Sequence, residues 1–324
     1  MLSNFVSGWQ AVRQRFRAVA KRADAMPLLS DEEIAVLAES LESWRSKGAW
    51  KERLSQAMRQ GRQSSRFRGS GMEYEESRPY LPGDELRHIN WRLMARTGEA
   101  FSKRFEETRQ SQWWILLDCR ESMRFGTRKR LKATQAARLS GALAWMAQSE
   151  GLRLNLLRLD EELSSLPTLF GRDLFSQTMK FSSQACPPKE GANWPGLEAA
   201  LNHLLPQFRG GDRLWILSDF YDLSDHSLQL IYALSECLNL HAIWLRDPVE
   251  NALPDISGMS LHSAGSKALH IQNRQQLEAY QAWAQAYFSA GECRLRQAGV
   301  EMSFIESTDE VEDFMSRLLH QLEL

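Results

Sequence analysis

WWILLD (113–118) and RLWILSD (213–219) are the two stretches that decide the fold. Each is an apolar run without polar alternation, the pattern of a strand buried on both faces, and each ends on an aspartate. Working outward, RLNLLRL (153–159), LHAIWL (240–245) and EMSFIE (301–306) are further short strand candidates. Helical patterns separate them. One covers about 128–149, where Ala136, Ala137, Ser140, Gly141 and Ala144 are small enough to pack closely on a sheet. Others fall near 171–181, over GLEAALNHLL (196–205) behind Pro195, about 225–238, within 272–299, and from Glu310 onward. Strands alternating with helices predict an α/β fold with a mostly parallel sheet flanked by helices.

The N-terminal third reads differently. Phe5, Trp9, Val12, Phe16 and Val19 recur at helical spacing over 5–22, against a basic face of Arg13, Arg15, Arg17, Lys21 and Arg22. A second helix starts at Ser30, where Glu33 three residues on completes a capping box; Ile34, Leu37, Leu41 and Trp44 form its apolar stripe and Gly48 its stop. GRQSSRFRGSG (61–71) has linker composition. From 72 to 110 the sequence predicts a turn at Pro82-Gly83, a short helical piece and an extended stretch in an otherwise irregular segment. The chain therefore divides into an N-terminal helical region (1–60), a linker and motif segment (61–110), and the α/β domain (111–324).

Composition excludes several functions. A formal net charge of −1 provides no global field for nucleic acid or acidic lipid, so a charge-driven partner must meet a local patch. Cys119, Cys186, Cys237 and Cys293 lie far apart with no CxxC pairing, against a zinc module or a disulfide framework. No apolar run reaches the roughly 18 residues of a membrane span, and no secretion signal is visible, so the expected location is cytoplasmic. There is no GxxxxGK[ST], GxSxG or HExxH, and Asp118-Cys-Arg lacks the second aspartate of a phosphoaspartate phosphatase. The seven histidines show no ligand spacing. The expectation is a chain that is not an enzyme.

In an open α/β sheet, ligands sit beyond the carboxyl ends of the strands, where Asp118 and Asp219 fall. A carboxylate followed four residues later by the Ser122 hydroxyl, with a second carboxylate from another strand, supplies the hard oxygen ligands that Mg²⁺ prefers. The stretch Asp118–Ser122 resembles the Asp-x-Ser-x-Ser loop of von Willebrand A domains, with Asn193 and Asp219 in the places of the later threonine and aspartate. From about 64 to 324 the chain resembles family 58 of the domains of unknown function. The motifs that carry this are RPYLPGDELRHINWRLMARTG (78–98), LLDCRESMRFG (116–126), LSDFYD (217–222) and LRDPVENALP (245–254).

The resemblance implies a von Willebrand A-like, Rossmann-like sheet. It also implies a MoxR-type AAA+ ATPase as partner, in chaperone-like maturation of client complexes. Many relatives carry N-terminal membrane spans, where this chain has polar helices. Two departures weaken the implied metal site of Asp118, Ser122, Asn193 and Asp219: Arg120 stands where the middle serine is expected, and Asn193 replaces a threonine. Arginine adds positive charge where Mg²⁺ would sit and can pair with Asp118 or Asp219, so a metal-free ion-pair cluster competes with a bound cation.

Candidate partner-binding residues are Arg78, Asp84, Arg87, Arg92 and Arg96 of the first motif, with Asp118, Arg120, Asp219 and Asp222 at the strand ends. In that first motif Tyr80, Asp84 and Trp91 alternatively form an internal clamp, with Trp91 buried against the α/β domain. Two further binding alternatives remain. One is nucleic acid along Arg59, Arg62, Arg66, Arg68, Arg124, Arg128, Lys129, Arg130 and Lys132; the other is an anionic membrane surface under the basic helix at 5–22.

Overall fold

Side chains of alternate residues in each central strand enter two different cores. In β3 (Gln112–Asp118), Trp113, Ile115 and Leu117 face one core while Trp114 and Leu116 face the other. β6 (Arg213–Ser218) repeats this with Trp215 and Leu217 against Leu214 and Ile216. Neither face meets water, which is why these strands carry no polar alternation. The computed structural model describes residues 26–47, 71–80, 89–108, 111–186, 195–208, 211–254, 260–261, 269–270 and 273–322.

The elements in chain order are α1 (Asp31–Lys47), β1 (Gly71–Pro79), α2 (Trp91–Thr97), β2 (Phe101–Thr108), β3, α3 (Lys132–Ser149), β4 (Arg153–Leu159) and β5 (Leu163–Leu169). There follow α4 (Leu174–Ser182), α5 (Leu197–Leu204), β6, α6 (Asp225–Ser235), β7 (Asn239–Arg246) and the single turn α7 (Pro248–Asn251). The short β8 (Ser260–Leu261) and β9 (Leu269–His270), then α8 (Arg274–Gln297), β10 (Glu301–Glu306) and α9 (Val311–Leu322), complete the described chain. The six-stranded sheet has the order β10-β7-β6-β3-β4-β5, all parallel except β5. Counted along the chain within the sheet, this is 3-2-1-4-5-6, the doubly wound order. α1, α3, α4 and α9 cover one face; α5, α6 and α8 cover the other. Crossovers therefore part between β3 and β6, leaving a crevice at their carboxyl ends.

The predicted strands and long helices stand within a few residues of their expected bounds. β5 and the β8–β9 pair were not expected. LSSLPTL in β5 is half-exposed, antiparallel and interrupted by Pro167, so it shows neither a buried run nor strict alternation. The segment expected to be irregular pairs instead as a hairpin: β1 and β2 run antiparallel from Gly71↔Thr108 to Pro79↔Phe101, with α2 between them. The expected helix at 5–22, the stop at Gly48, the bulk of the 61–71 linker and the Pro82-Gly83 turn lie outside the described residues.

α1 starts as its sequence requires. The Ser30 N–H donates to Glu33 Oε2 (2.8 Å) and the Glu33 N–H to Ser30 Oγ (3.2 Å), the reciprocal capping box. Its Leu37 and Leu41 are buried in the same core as α3, and Trp44 Nε1 donates to Ser316 Oγ of α9 at 2.8 Å.

The loop from β3 to α3 is drawn tight at Gly126. A Cβ there would lie 2.3 Å from the Arg130 carbonyl oxygen and 2.8 Å from Leu131 Cα, both backbone atoms with no rotamer to escape into. Gly126→Ala is therefore expected to cost about 2–3 kcal/mol, read from the urea midpoint. An unchanged midpoint would show that the loop can open at no cost.

Candidate functional site

At the carboxyl end of β3, the Asp118 carboxylate is fully buried and saturated with donors. Oδ1 accepts from the Arg120 backbone N–H and from Arg120 Nε, both at 3.0 Å. Oδ2 accepts from Arg120 Nη2 (2.8 Å) and Ser218 Oγ (2.6 Å). The other edge of the same guanidinium donates to Asp222, from Nη1 to Oδ2 at 2.5 Å and from Nη2 to Oδ1 at 2.8 Å. Arg120 thus joins β3 to the loop after β6 by two bidentate pairs. Burial lowers the pKa of the guanidinium, but the Asp118 and Asp222 carboxylates outweigh it and raise the pKa above its ordinary value. Burial pushes Asp222 upward, yet the Arg120 contacts and the Leu197 N–H hold its carboxyl below the usual range. That N–H, donating to Asp222 Oδ2 at 3.0 Å, belongs to the first residue of α5, so Asp222 also caps a helix whose own cap, Gly196, has no side chain.

Asp219 carries a second cation. Its Oδ1 accepts from Ser122 Oγ (3.0 Å) and the Tyr221 N–H (3.2 Å), and its Oδ2 from Lys132 Nζ (2.8 Å). Lys132, the first residue of α3, has no exposed side-chain surface, and its Nζ also donates to Glu250 Oε1 at 2.6 Å. An ammonium at a helix N-terminus opposes the helix dipole, and two buried carboxylates offset that cost. Glu250 is itself half of a capping box on α7: its Oε2 accepts from the Asp247 N–H at 2.9 Å while Asp247 Oδ1 accepts from Val249 at 3.1 Å. Asp247 further accepts from the Thr127 N–H (3.0 Å), Thr127 Oγ1 (2.5 Å) and Ser307 Oγ (2.8 Å). One bonded chain therefore links the carboxyl ends of β3, β6, β7 and β10.

Backbone strain marks the same place. Phe220 has φ 47°, the one non-glycine residue with positive φ among the described residues, and it bends the chain between Asp219 and Asp222. A buried phenylalanine held there costs of order 1–3 kcal/mol unless its surroundings enforce it. Here the Phe220 N–H donates to Ser218 Oγ (3.0 Å) and the ring packs edge-on to Trp244 at 5.6 Å.

A profile of the family described as "Protein of unknown function DUF58" matches residues 76–289, well over half of the chain. The chain belongs to the DUF58 family. Among curated proteins, the uncharacterized protein Rv1480 of Mycobacterium tuberculosis (strain ATCC 25618 / H37Rv) is 29% identical to this chain over 201 residues. The match covers 61% of this chain and 62% of that protein's length. Among solved structures, a von Willebrand factor type A protein from Catenulispora acidiphila aligns with TM-score 0.36 and 8% identity, over 67% of this chain and 43% of that one. An aerotolerance-related membrane protein from Bacteroides fragilis NCTC 9343 aligns with TM-score 0.41 and 14% identity, over 65% and 98%. The fold of this DUF58 chain is the mostly parallel α/β sheet flanked by helices that its sequence implied. The expected cytoplasmic location does not hold: the Bacteroides protein is described as a membrane protein. No helix among the described residues is long and apolar enough to cross a membrane.

The structure brings Asp118, Arg120, Ser122, Asp219 and Asp222 together; Asn193 lies outside the described residues. These residues do not fit a divalent ion. Every oxygen of Asp118 and Asp219 already accepts a hydrogen bond, and a guanidinium and an ammonium occupy the places beside them. At about 4 Å and an effective dielectric of about 20, Mg²⁺ and one such cation would repel by about 8 kcal/mol. Among the described residues no group of three or more His, Cys, Asp or Glu side chains is arranged to hold a metal.

Two sequence readings change. Trp91 is 62% exposed rather than clamped against the α/β domain, because α2 buries none of its residues and stands on the β1–β2 hairpin. Lys132 is no surface cation but fully buried, while Lys129 and Arg130 pair with Glu310 nearer the surface, so Lys132 leaves the basic run proposed for nucleic acid. Arg59, Arg62, Arg66, Arg68, Asp84 and Arg87 lie outside the described residues, as does the side chain of Arg78. Sequence reasoning missed Lys132, Asp247 and Glu250. Two signals were present: Lys132 occupies the helical stripe of Ala136, Leu139 and Leu143, and Asp247-Pro-Val-Glu250 is a capping-box pattern.

Lys132→Met leaves Asp219 and Glu250 buried without their cation and is expected to cost about 3–5 kcal/mol in urea unfolding. Adding Asp219→Asn and Glu250→Gln should recover part of that loss. A single variant within about 1 kcal/mol of wild type would show that Lys132 does not hold the strand ends together.

Proposed function

We propose that this chain is a non-catalytic protein-binding adaptor that works with a MoxR-type AAA+ ATPase in chaperone-like maturation of client complexes. The observation that carries the reading is the exposed face of α2. Trp91 is 62% exposed, and Arg92 and Arg96, one helical turn apart, are exposed beside it. Aromatic and arginine side chains are the residues that dominate binding energy at protein interfaces. α2 is held for display rather than for core packing. Asn90 Oδ1 accepts from the Leu93 N–H at 3.2 Å to cap its start, and Gly98, at φ 79°, closes its end through a bond to the Met94 carbonyl. Ile89 anchors its base as a bridge to Ser102 in β2.

At the strand ends, Asp118, Arg120 and Asp219 are buried in their own pairs, and Asp222 keeps about a third of its side chain accessible. The Arg120 ion pairs therefore shape the rim, and the α2 face supplies the contact. The basic pair fits an acidic patch on the partner, so complex formation should weaken with salt. Absence of GxxxxGK[ST] leaves ATP turnover to the partner.

The test is a titration of the purified chain against a MoxR-type AAA+ ATPase, reading both binding and ATP turnover. Wild type is expected to bind and to change turnover, and Trp91→Ala with Arg92→Glu and Arg96→Glu to weaken binding at least tenfold while the melting temperature stays put. No binding by wild type would remove the adaptor reading. Full binding by the triple variant would place the contact elsewhere.

A further inference from the structure

Arg120 and Lys132 each meet two carboxylates, whereas Arg246, at the end of β7, meets aromatic rings. Its guanidinium carbon lies 4.1 Å from the ring centres of Phe288 in α8 and Phe304 in β10, and 4.8 Å from that of Trp244. Nε and Nη2 are enclosed and have no hydrogen-bond acceptor. The indole N–H of Trp244, itself 2% exposed, has none either. Burial lowers the pKa of Arg246 to about 10, against the pull of Glu250, Glu292 and Glu306, so the guanidinium is charged at neutral pH. Each of those carboxylates is bonded elsewhere: Glu250 to Lys132 at 2.6 Å, Glu292 to Arg296 at 2.9 Å and Glu306 to Asn251 at 3.2 Å.

Enclosed donors without an acceptor are rare in folded proteins, because each has given up its hydration for nothing. Stacking on rings offsets part of that loss for an arginine and leaves its planar fork available to a carboxylate. Arg246 as a whole is half-buried, so the place opens to solvent on one side. An aromatic ladder continues from it along α8. Phe288 meets Tyr287 edge-on at 5.5 Å, and Tyr287 stacks on Trp283 at 5.5 Å and 24°. Tyr287 is 39% exposed.

We propose that Arg246 anchors a peptide-binding site, in which the guanidinium takes the C-terminal carboxylate of a partner protein and the Tyr287–Trp283 stack takes its last, apolar side chain. The surroundings select that ligand. A carboxylate offers two oxygens in one plane, the geometry that a guanidinium fork matches. A chain end carries an apolar side chain beside its carboxylate, which an aspartate or glutamate side chain does not. The nearby glutamates repel a dianion such as phosphate about twice as strongly as a monoanion. The site shares no residue with the α2 face and does not rest on the adaptor reading.

The experiment titrates the full wild-type chain with the peptide N-acetyl-Gly-Ser-Gly-Phe, once as the free acid and once as the carboxamide. Binding is followed by NMR on the Trp283 indole N–H, assigned as the resonance missing from Trp283→Phe. The free acid is expected to shift that resonance saturably, and the carboxamide to bind at least about tenfold more weakly. Arg246→Met should weaken the free acid by a similar factor while its melting temperature stays at or above that of wild type, since no bonded partner is stranded. Equal binding of acid and carboxamide would overturn the proposal, as would the absence of any shift with the free acid. Displacement of the peptide by an equal concentration of inorganic phosphate would also overturn it, leaving a general anion site. Should Arg246→Met fail to fold, the comparison of acid with carboxamide on the wild type decides alone.

Discussion

The ammonium of Lys132, buried between Asp219 and Glu250, is the contact on which the carboxyl end of the sheet depends. It joins the start of α3 to the end of β6 and to the turn after β7 in one step. Without it the two carboxylates would repel each other in a place that water does not reach, and the loops they belong to would part. Arg120 does the same work one strand over, between Asp118 and Asp222. Two cations thus meet four carboxylates, and Asp247 beside them is satisfied by neutral donors from Thr127, Val249 and Ser307.

That arrangement changes what the crevice of a doubly wound sheet is used for. The sheet order opens a crevice between β3 and β6, where such folds hold ligands. In this chain side chains fill it. Arg120 stands where a hydroxyl ligand would, and its planar fork matches two carboxylates at once, which a point charge could not do. The rim is therefore assembled whenever the chain is folded. Strain at Phe220 is part of that assembly, since the bend brings Asp222 back over Arg120 while Asp219 keeps Lys132.

Legibility in the sequence followed burial. The runs at 113–118 and 213–219 announced strands covered on both faces, and the small residues Ala136, Ala137 and Gly141 announced a helix lying close to its neighbours; a Cβ on Gly141 would meet Met179 Sδ at 2.3 Å. Ser30 and Glu33 announced a helix start that the backbone realises atom for atom. β5 escaped because half-exposure and Pro167 erase both strand patterns. The β1–β2 hairpin escaped because its pairing depends on register across an intervening helix, and nothing local states register. At the site, the pairing of Arg120 with Asp118 was readable from the strand end, but the expected third member differs: Arg120 takes Asp222, and Asp219 pairs with Lys132. Lys132 was hidden among Arg128, Lys129 and Arg130, where charge density suggested a surface; its place on the apolar stripe of α3 was the stronger clue. Trp91 misled in the opposite sense, as a large apolar residue that the fold leaves in solvent.

The central claim is that protein cations, not a divalent ion, neutralise these carboxylates. Isothermal titration of Mg²⁺ into metal-stripped wild-type protein, with thermal unfolding in chelator and in millimolar Mg²⁺, tests it directly. The account predicts no binding heat beyond dilution and one melting temperature in both conditions. A ligand at about a hundred times its dissociation constant would add about 2.7 kcal/mol of stability, so a clear rise in melting temperature with Mg²⁺, lost in Asp118→Ala, would contradict it.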